Sequence, residues 1–404
     1  MRDGCPTKQL ADVCELFADG DWIESKNQSQ EGIRLIQTGN VGQGVFKDRG
    51  DKARYISEAT FKRLRCTEIF HGDCLISRLP DPVGRSCILP DTGERMITAV
   101  DCTIVRFNPG YLLPAFFNFY SQSLDYLNAV ESVTTGTTRN RISRSNLGLI
   151  PVPVPPLPEQ QRIVGILDEA FEDIAIVKAN AEKNLENARA IFESYLESTF
   201  TRRGPEWEEK PLGDFCAFEN GDRGTNYPSK SARTVTGIPF INAGHLTEDG
   251  IDLETMDYIS KQRFDLLSNG KIREGDILFC LRGSLGKFAS VGDLSEGAIA
   301  SSLVIVRQDK TVLNEFLVAY FRSPICSEMI NRFKNGAAQP NLSAQSLSKF
   351  IAPIPPLPEQ RLVVEKLADL RADTQRLASL YKRKVAALEE LKKSLLDRAF
   401  TGRL

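Results

Sequence analysis

The sequence predicts an α+β chain built twice, with two similar globular domains, two long helices and a pseudo-two-fold organisation. Three observations predict it. Pro155-Pro156-Leu157-Pro158-Glu159-Gln160 recurs letter for letter as Pro355-Pro356-Leu357-Pro358-Glu359-Gln360. Each copy follows a globular-looking segment and opens a long helical pattern. The echoes continue on both sides: Gly136, Ile142, Ser143 and Leu147 return as Gly336, Leu342, Ser343 and Leu347, and Phe200-Thr201 returns as Phe400-Thr401. Four blocks result, globular over about 1–150, helical over 151–203, globular over 204–350 and helical over 351–404. So long a period marks a duplicated domain plus helix, not a solenoid.

The globular blocks echo each other internally. Tyr55-Ile56-Ser57, Phe61, Leu64 and Gly72-Asp73 reappear as Tyr258-Ile259-Ser260, Phe264, Leu267 and Gly275-Asp276, and Gly32-Ile33 with Ile36 as Gly237-Ile238 with Ile241. Short apolar runs at Ile33–Ile36, Cys74–Ile76 and Ile277–Phe279 read as strands between Gly, Asp and Asn turn signals. Segments near Ser57–Leu64 and Leu112–Tyr120 read as helices. Mixed α+β domains follow.

The helical blocks carry the clearest periodicity. Ile163, Leu167, Ala170, Ile174, Val177, Ala181, Asn184, Ala188, Ile191 and Tyr195 step alternately by four and three. Val363, Leu367, Leu370, Thr374, Leu377, Tyr381, Lys384, Leu388, Leu391 and Leu395 step identically. A 3.5-residue repeat is a coiled-coil seam, so the two helices are expected to pair with each other. Pro158 and Pro358 suit a first helical turn, and Glu159 and Glu359 the positive end of the macrodipole. The preceding Pro151–Pro156 run is stiff and extended, so it aims the helix. About 40 residues span roughly 60 Å, a spacer's length. With antiparallel pairing and full overlap, Asn184 would lie near Thr374 and fix register; alternatively Asn184 and Lys384 sit where the seam opens to water.

Composition narrows the class. Hydrophobic content of 41% and charged content of 26% suit a folded globular chain. No apolar run reaches the length of a membrane span, and Met1-Arg2-Asp3-Gly4-Cys5-Pro6 has no signal core. Nine scattered cysteines without a CxxC pair fit reduced thiols in a cytoplasm. A net charge of −2 means that any nucleic-acid surface must arise from local segregation of charge.

Catalytic signatures are missing. Gly283-Ser284-Leu285-Gly286-Lys287 is too short for a phosphate loop, and Gly39-Asn40-Val41-Gly42-Gln43-Gly44 is not a dinucleotide turn. Asn108-Pro109-Gly110-Tyr111 lacks the second proline of the amino-methyltransferase Asn-Pro-Pro-Tyr sequence, and a β-turn explains it. His71 and His245 occupy poorly corresponding positions, which argues against triad or metal chemistry. Carboxylate spacing alone leaves a nuclease site open, and nothing favours one.

One asymmetry points to nucleic acid. No Asp or Glu occurs from Ser132 to Pro158, nor from Met329 to Pro358, the matching windows before each proline motif. The first window holds Thr137, Thr138, Arg139, Asn140, Arg141 and Arg144; the second holds Lys334, Gln339 and Asn341. Such donors suit phosphates and base edges, and the lack of carboxylates avoids repulsion. The alternative is a solvated glycine hinge entering the helix. Gly136 and Gly336 are shared while Arg139-Asn140 becomes Gln339-Pro340, so one frame could carry different readers. Arg78 and Arg282, each a few residues past a Gly-Asp pair, join the DNA-binding candidates together with Lys287, with a surface ion pair as the plainer role for the arginines.

With these residues assembled, the chain closely resembles the specificity subunits of type I restriction-modification enzymes. The likeness rests on the paired Pro-Pro-Leu-Pro-Glu-Gln motifs running into Arg162-Ile163-Val164 and Arg361-Leu362-Val363, and on the shared Gly-Ile and Gly-Asp patterns. It covers essentially the whole chain. The one departure is a one-residue slip, Gln160-Gln161-Arg162 against Gln360-Arg361.

The resemblance implies two target-recognition domains, 1–150 and 204–350, held apart by an antiparallel pair of helices, 151–203 and 351–404. Each domain would read half of an asymmetric double-stranded DNA site. Ile163, Leu167, Ile174, Val177, Val363, Leu367, Leu370 and Leu377 would serve the coiled coil and partner docking. The expected partners are two methyltransferase subunits and restriction subunits that translocate DNA. S-adenosylmethionine, ATP and magnesium would belong to those partners, with no cofactor, metal or catalysis in this chain. Two rival readings remain at this point: a standalone sequence-specific DNA-binding protein and a coiled-coil scaffold.

Overall fold

The computed structural model describes residues 5–136, 140–336 and 340–404. Two compact units divide the chain, residues 1–182 with 382–404 and residues 183–381. Each unit therefore holds one globular domain, the first part of one long helix and the last part of the other.

In the first unit the strands are β1 (Thr7–Gln9), β2 (Cys14–Asp19), β3 (Ile33–Ile36) and β4 (Tyr55–Ile56), followed by helix α1 (Glu58–Leu64). Then come β5 (Cys74–Ser77), β6 (Ser86–Ile88), β7 (Met96–Thr98) and β8 (Cys102–Phe107). Helices α2 (Pro114–Tyr120), α3 (Leu124–Ser132) and α4 (Arg144–Gly148) precede β9 (Pro151–Pro153) and the long α5 (Leu157–Thr201). An antiparallel sheet in the order β2-β8-β5-β6 lies beside a β4-β3-β7 sheet, with β1 and β9 paired separately. The strands β5 and β8 are almost wholly buried, as their unbroken apolar runs require.

The second unit repeats this plan with additions. It contains β10 (Glu208–Pro211), β11 (Cys216–Asn220), β12 (Arg233–Thr234), β13 (Ile238–Ile241), β14 (Leu246–Thr247), β15 (Gly250–Ile251), β16 (Tyr258–Ile259) and α6 (Lys261–Asp265). After these come β17 (Ile277–Cys280), β18 (Phe288–Ser290), β19 (Ala298–Ile299), β20 (Leu303–Gln308), α7 (Asn314–Arg322), α8 (Pro324–Phe333), α9 (Ala344–Leu347), β21 (Ile351–Ile354) and α10 (Leu357–Phe400). The order β11-β20-β17-β18 reproduces β2-β8-β5-β6. Among the described residues, only this unit has the small β14-β15 pair and the extra edge strand β12.

The repeated motifs are repeated structural devices. Ser57 and Ser260 cap α1 and α6 by accepting from the Thr60 and Arg263 amides. Gly32 and Gly237 have φ of 123° and 135°, and a Cβ on either would lie 2.5 Å from the Ile56 or Ile259 carbonyl oxygen. Asp73 and Asp276 of the Gly-Asp pairs are buried and bound bidentately by Arg106 and Arg307. The prolines ahead of each helix form edge strands: Val152 pairs with Lys8, and Ala352 with Lys210.

The glutamine ending each proline motif is a staple. Gln160 is wholly buried; its Oε1 accepts from the Leu113 amide at 2.9 Å, and its Nε2 donates to the Tyr111 and Pro155 carbonyls, each at 2.8 Å. Gln360 does the same with Leu313, Thr311 and Pro355. Each helix start is thereby tied to the loop before α2 or α7.

Antiparallel helix pairing is visible within each unit. In the first, Ile163 and Leu167 share a core with Leu396, Ala399 and Phe400, Lys178 pairs with Glu389, and Lys392 lies over the Phe171 ring. In the second, Leu196 and Phe200 share a core with Leu367, against which Val363 packs. Ile163, Leu167, Ile174 and Leu367 are buried, while Val177, Val363 and Leu370 are half-buried. The expected seam needs correction farther along. Leu377 is exposed and Ala378 takes its place, while Tyr381 keeps to the expected stripe; likewise Leu185, Phe192 and Leu196 take over from Asn184, Ile191 and Tyr195. A strict 3.5 repeat drifts about 20° per heptad from a straight α-helix, and a four-residue step resets it. Asn184 and Lys384 face water, and Thr374 is buried with its hydroxyl donating to the Leu370 carbonyl of its own helix. No Asn184–Thr374 pair fixes the register.

Candidate nucleic-acid interface

The two acid-free windows form equivalent stems. In the first unit the Thr135 and Arg141 amides each donate to the other residue's carbonyl, at 3.0 and 2.9 Å. Asn335 and Asn341 repeat the bridge at 2.9 Å in both directions. Gly136 and Gly336, at φ of 122° and 86°, turn the chain where other residues are strained. Ser143 and Ser343 then cap α4 and α9. The sequence candidates Thr137, Thr138, Arg139 and Gln339 lie outside the described residues, whereas Asn140 is exposed beside the first stem.

Each stem is fastened to the end of a buried strand. The Ile142 amide donates to the Arg78 carbonyl just past β5, and the Leu342 amide to the Leu281 carbonyl just past β17. The loop leaving that strand therefore runs beside the stem, and in the second unit Arg282 bridges directly to Asn341.

The strand register corrects the pairing of Arg78 with Arg282. The Arg78 amide donates to the Asp101 carbonyl and the Leu281 amide to the Ser302 carbonyl, so Arg78 corresponds to Leu281. Arg282 corresponds to Leu79. Neighbouring positions on extended chain face opposite ways. Arg78 is accordingly buried, its guanidinium donating to the Val100 carbonyl beside Asp19, and burial lowers its pKa. It supports the loop from beneath. Arg282 points out and is exposed.

The far end of the loop shows the same inversion. The Ser77 and Cys280 amides donate to the Arg85 and Lys287 carbonyls, which makes these two residues equivalent. Arg85 is buried and donates to the carbonyls of Thr38, Val41, Leu79 and Pro82. Lys287 is exposed and reaches the Ala243 carbonyl at 3.0 Å. Lys334 is exposed and donates to Asn331. Lys287 and Lys334 line an open groove of about 470 Å³ with Gly283, Ser284 and Pro340. Among the described residues none of Arg282, Lys287 and Lys334 is ion-paired, so this rim can offer its charge to an anion.

The first unit differs. Arg141 and Arg144 are half-exposed, but Arg141 lies 2.9 Å from Asp101 and Arg144 3.9 Å from Asp19. The structure thus groups Arg78, Asn140, Arg141 and Arg144 in one unit and Arg282, Lys287, Lys334 and Asn341 in the other. Sequence reasoning missed Arg85, Asp19 and Asp101. The partners of Asp19 and Asp101, and the Thr38 and Val41 carbonyls that Arg85 reaches, lie far away along the chain, and no local pattern marks them.

Among the described residues no group of three His, Cys, Asp or Glu could hold a metal ion, and no helix is long and apolar enough to cross a membrane. All nine cysteines are free.

Comparison with known proteins agrees with this duplicated plan. The EcoKI specificity subunit of Escherichia coli (strain K12), a type I restriction enzyme component, is 23% identical over 307 residues, 72% of this chain and 66% of that protein. The alignment thus spans just under two thirds of that relative's length. A chain from a structure of complex assembly and conformational transition in the type I R-M system superposes with a TM-score of 0.80. That match covers 99% of this chain and 98% of the other, at 19% identity. The HsdS subunit from Thermoanaerobacter tengcongensis gives a TM-score of 0.63 over 100% of this chain and 98% of its own, at 18% identity. At such identities these likenesses establish the fold. The family model for the type I restriction modification DNA specificity domain matches twice, over residues 3–187 and 205–384, and the chain belongs to that family.

Proposed function

We propose that this chain is the non-catalytic subunit that reads a bipartite, asymmetric double-stranded DNA site for a type I restriction-modification assembly. One observation carries the reading: two equivalent frames of strand-end loop and stem bear different side chains. Arg141, Arg144 and Asn140 stand in one frame, Arg282, Lys287, Lys334 and Asn341 in the other. A repeated scaffold with unlike readers is what an asymmetric two-part site requires.

Methylation, ATP hydrolysis and cleavage then belong to partner subunits, two for methylation and others for restriction. S-adenosylmethionine, ATP and magnesium act there, in the cytoplasm. Exposed Leu362, Leu377, Leu380 and Leu391 on α10, with Ile176 and Ile191 on α5, supply apolar surface for docking those partners. Continuous helices of 45 and 44 residues, about 66 Å each at 1.5 Å per residue, suit a spacer between two half-sites.

The test is to map methylated adenines in DNA from cells expressing the chain with its modification partner. Exchanging residues 1–150 for those of another family member should change one half of the mapped site. Change in both halves counts against the reading. Inserting one heptad into both long helices adds about 10 Å, or roughly three base pairs, to the unread spacer. An unchanged spacing in the same mapping experiment would reject the spacer role.

A further inference from the structure

Five charged residues cluster at the base of the first unit's interface. Arg78 lies 3.3 Å from Asp19, Arg144 3.9 Å from Asp19, and Arg141 2.9 Å from Asp101. Asp101 immediately precedes β8, and its carbonyl accepts from the Arg78 amide. The contacts are ion pairs out of hydrogen-bond alignment at Asp19 Oδ1 and Asp101 Oδ1, and Arg78 Nε is buried without a hydrogen bond.

The second unit has none of it. Strand registers and shared backbone bonds make Asn220, Leu281, Ser302, Asn341 and Ala344 the counterparts of Asp19, Arg78, Asp101, Arg141 and Arg144. All five counterparts are uncharged on the same backbone frame. The fold therefore does not need these charges, since it is built once without them. Their common removal also shows that they form a set, because an isolated Arg78 or Asp19 in this part-buried place would be costly.

We infer that Asp19 and Asp101 act as internal competitors for the DNA, holding the reading arginines of the first domain until a matching half-site displaces them. This rests on the proposed DNA-reading function and adds to it a difference between the two halves. Arg141 and Arg144 are about half exposed and sit on carboxylates that occupy the place of a phosphate or a guanine edge. A non-matching duplex offers them no better partner than the one they hold, and the two carboxylates also repel its phosphates. The second domain, with free basic residues and no competitor, binds duplex with less regard to sequence. The first domain is the more selective head.

The substitutions to make are those the second unit already carries. Asp101→Ser frees Arg141, and the pair Asp19→Asn with Arg78→Leu removes the deeper half without leaving a charge buried. Selection from fully randomised duplex DNA, with the full-length chain and each variant, reads preference in both half-sites together. Wild type should enrich a two-part sequence. In the variants, discrimination in the half-site assigned to residues 1–150 should fall on the order of tenfold per contacted base pair, with the other half unaltered. Affinity for non-selected duplex should rise on the order of tenfold. Variants that enrich the wild-type sequence with undiminished preference overturn the inference while leaving the DNA-reading function intact. Equal loss in both halves also overturns it. A wild-type chain that enriches nothing counts instead against the function on which the inference rests.

Discussion

Replacing Gln160 by alanine is expected to destabilise the first unit by about 3–4 kcal/mol, a large effect for a single polar side chain. The cause is what the amide leaves behind. Three buried backbone groups, the Leu113 N–H and the Tyr111 and Pro155 carbonyls, lose their partner together. Each orphaned buried group costs about 1–3 kcal/mol, and the fully enclosed position keeps water from substituting. Gln160→Glu tests the cause, because it keeps the volume and one acceptor but loses both N–H donors to carbonyls. It should be as harmful as alanine near neutral pH. Hydrogen exchange makes the measurement local: the Leu113 amide should lose protection while Leu313, held by the intact Gln360, keeps its own. Equal loss at both amides, or no loss at Leu113, would refute the staple.

That glutamine also marks how far the sequence could be read. Its recurrence in both motifs was plain, yet the pattern drew attention to the prolines and the glutamate, whose roles are local. The amide's partners include Tyr111 and Leu113, set near it only by the fold. Local signals served well elsewhere. The strands read at Ile33–Ile36, Cys74–Ile76 and Ile277–Phe279 and the helices read near Ser57–Leu64 and Leu112–Tyr120 are all present, because apolar runs and turn residues act at short range.

The seam was legible through Ala181 and again at Ala188, but its phase failed at Asn184, Ile191 and Tyr195. Ile191 and Tyr195 are as apolar as Phe192 and Leu196, so composition cannot choose between adjacent stripes; the pitch of a real helix does. The match between Arg78 and Arg282 near the Gly-Asp pairs slipped for the analogous reason on extended chain. One residue of offset separates buried Arg78 from exposed Arg282, and gaps between the repeats hid that offset. The charge network was invisible because its members come from four separate segments.

The other large effect is expected at the second interface. Replacing Arg282, Lys287 and Lys334 together by alanine should flatten the salt dependence of DNA binding by about three in the slope of log K against log salt, roughly 0.9 for each phosphate contact. At about 0.1 M salt that corresponds to a loss of several hundredfold in affinity. All three side chains are exposed and carry no ion pair among the described residues, so stability should change by less than about 0.5 kcal/mol for each. The matching change in the first unit, Arg141 and Arg144 to alanine, should move the slope far less, because Asp101 and Asp19 already offset those charges. Lys310 provides the control: it is exposed beyond the opposite end of β20, about 20 Å of strand away, and Lys310→Ala should leave the slope unaltered. Salt titrations of duplex binding with the full-length chain distinguish the cases. A slope equally insensitive to all three sets of substitutions places the DNA on some other surface, and an equal response at the two interfaces removes the electrostatic difference between the halves.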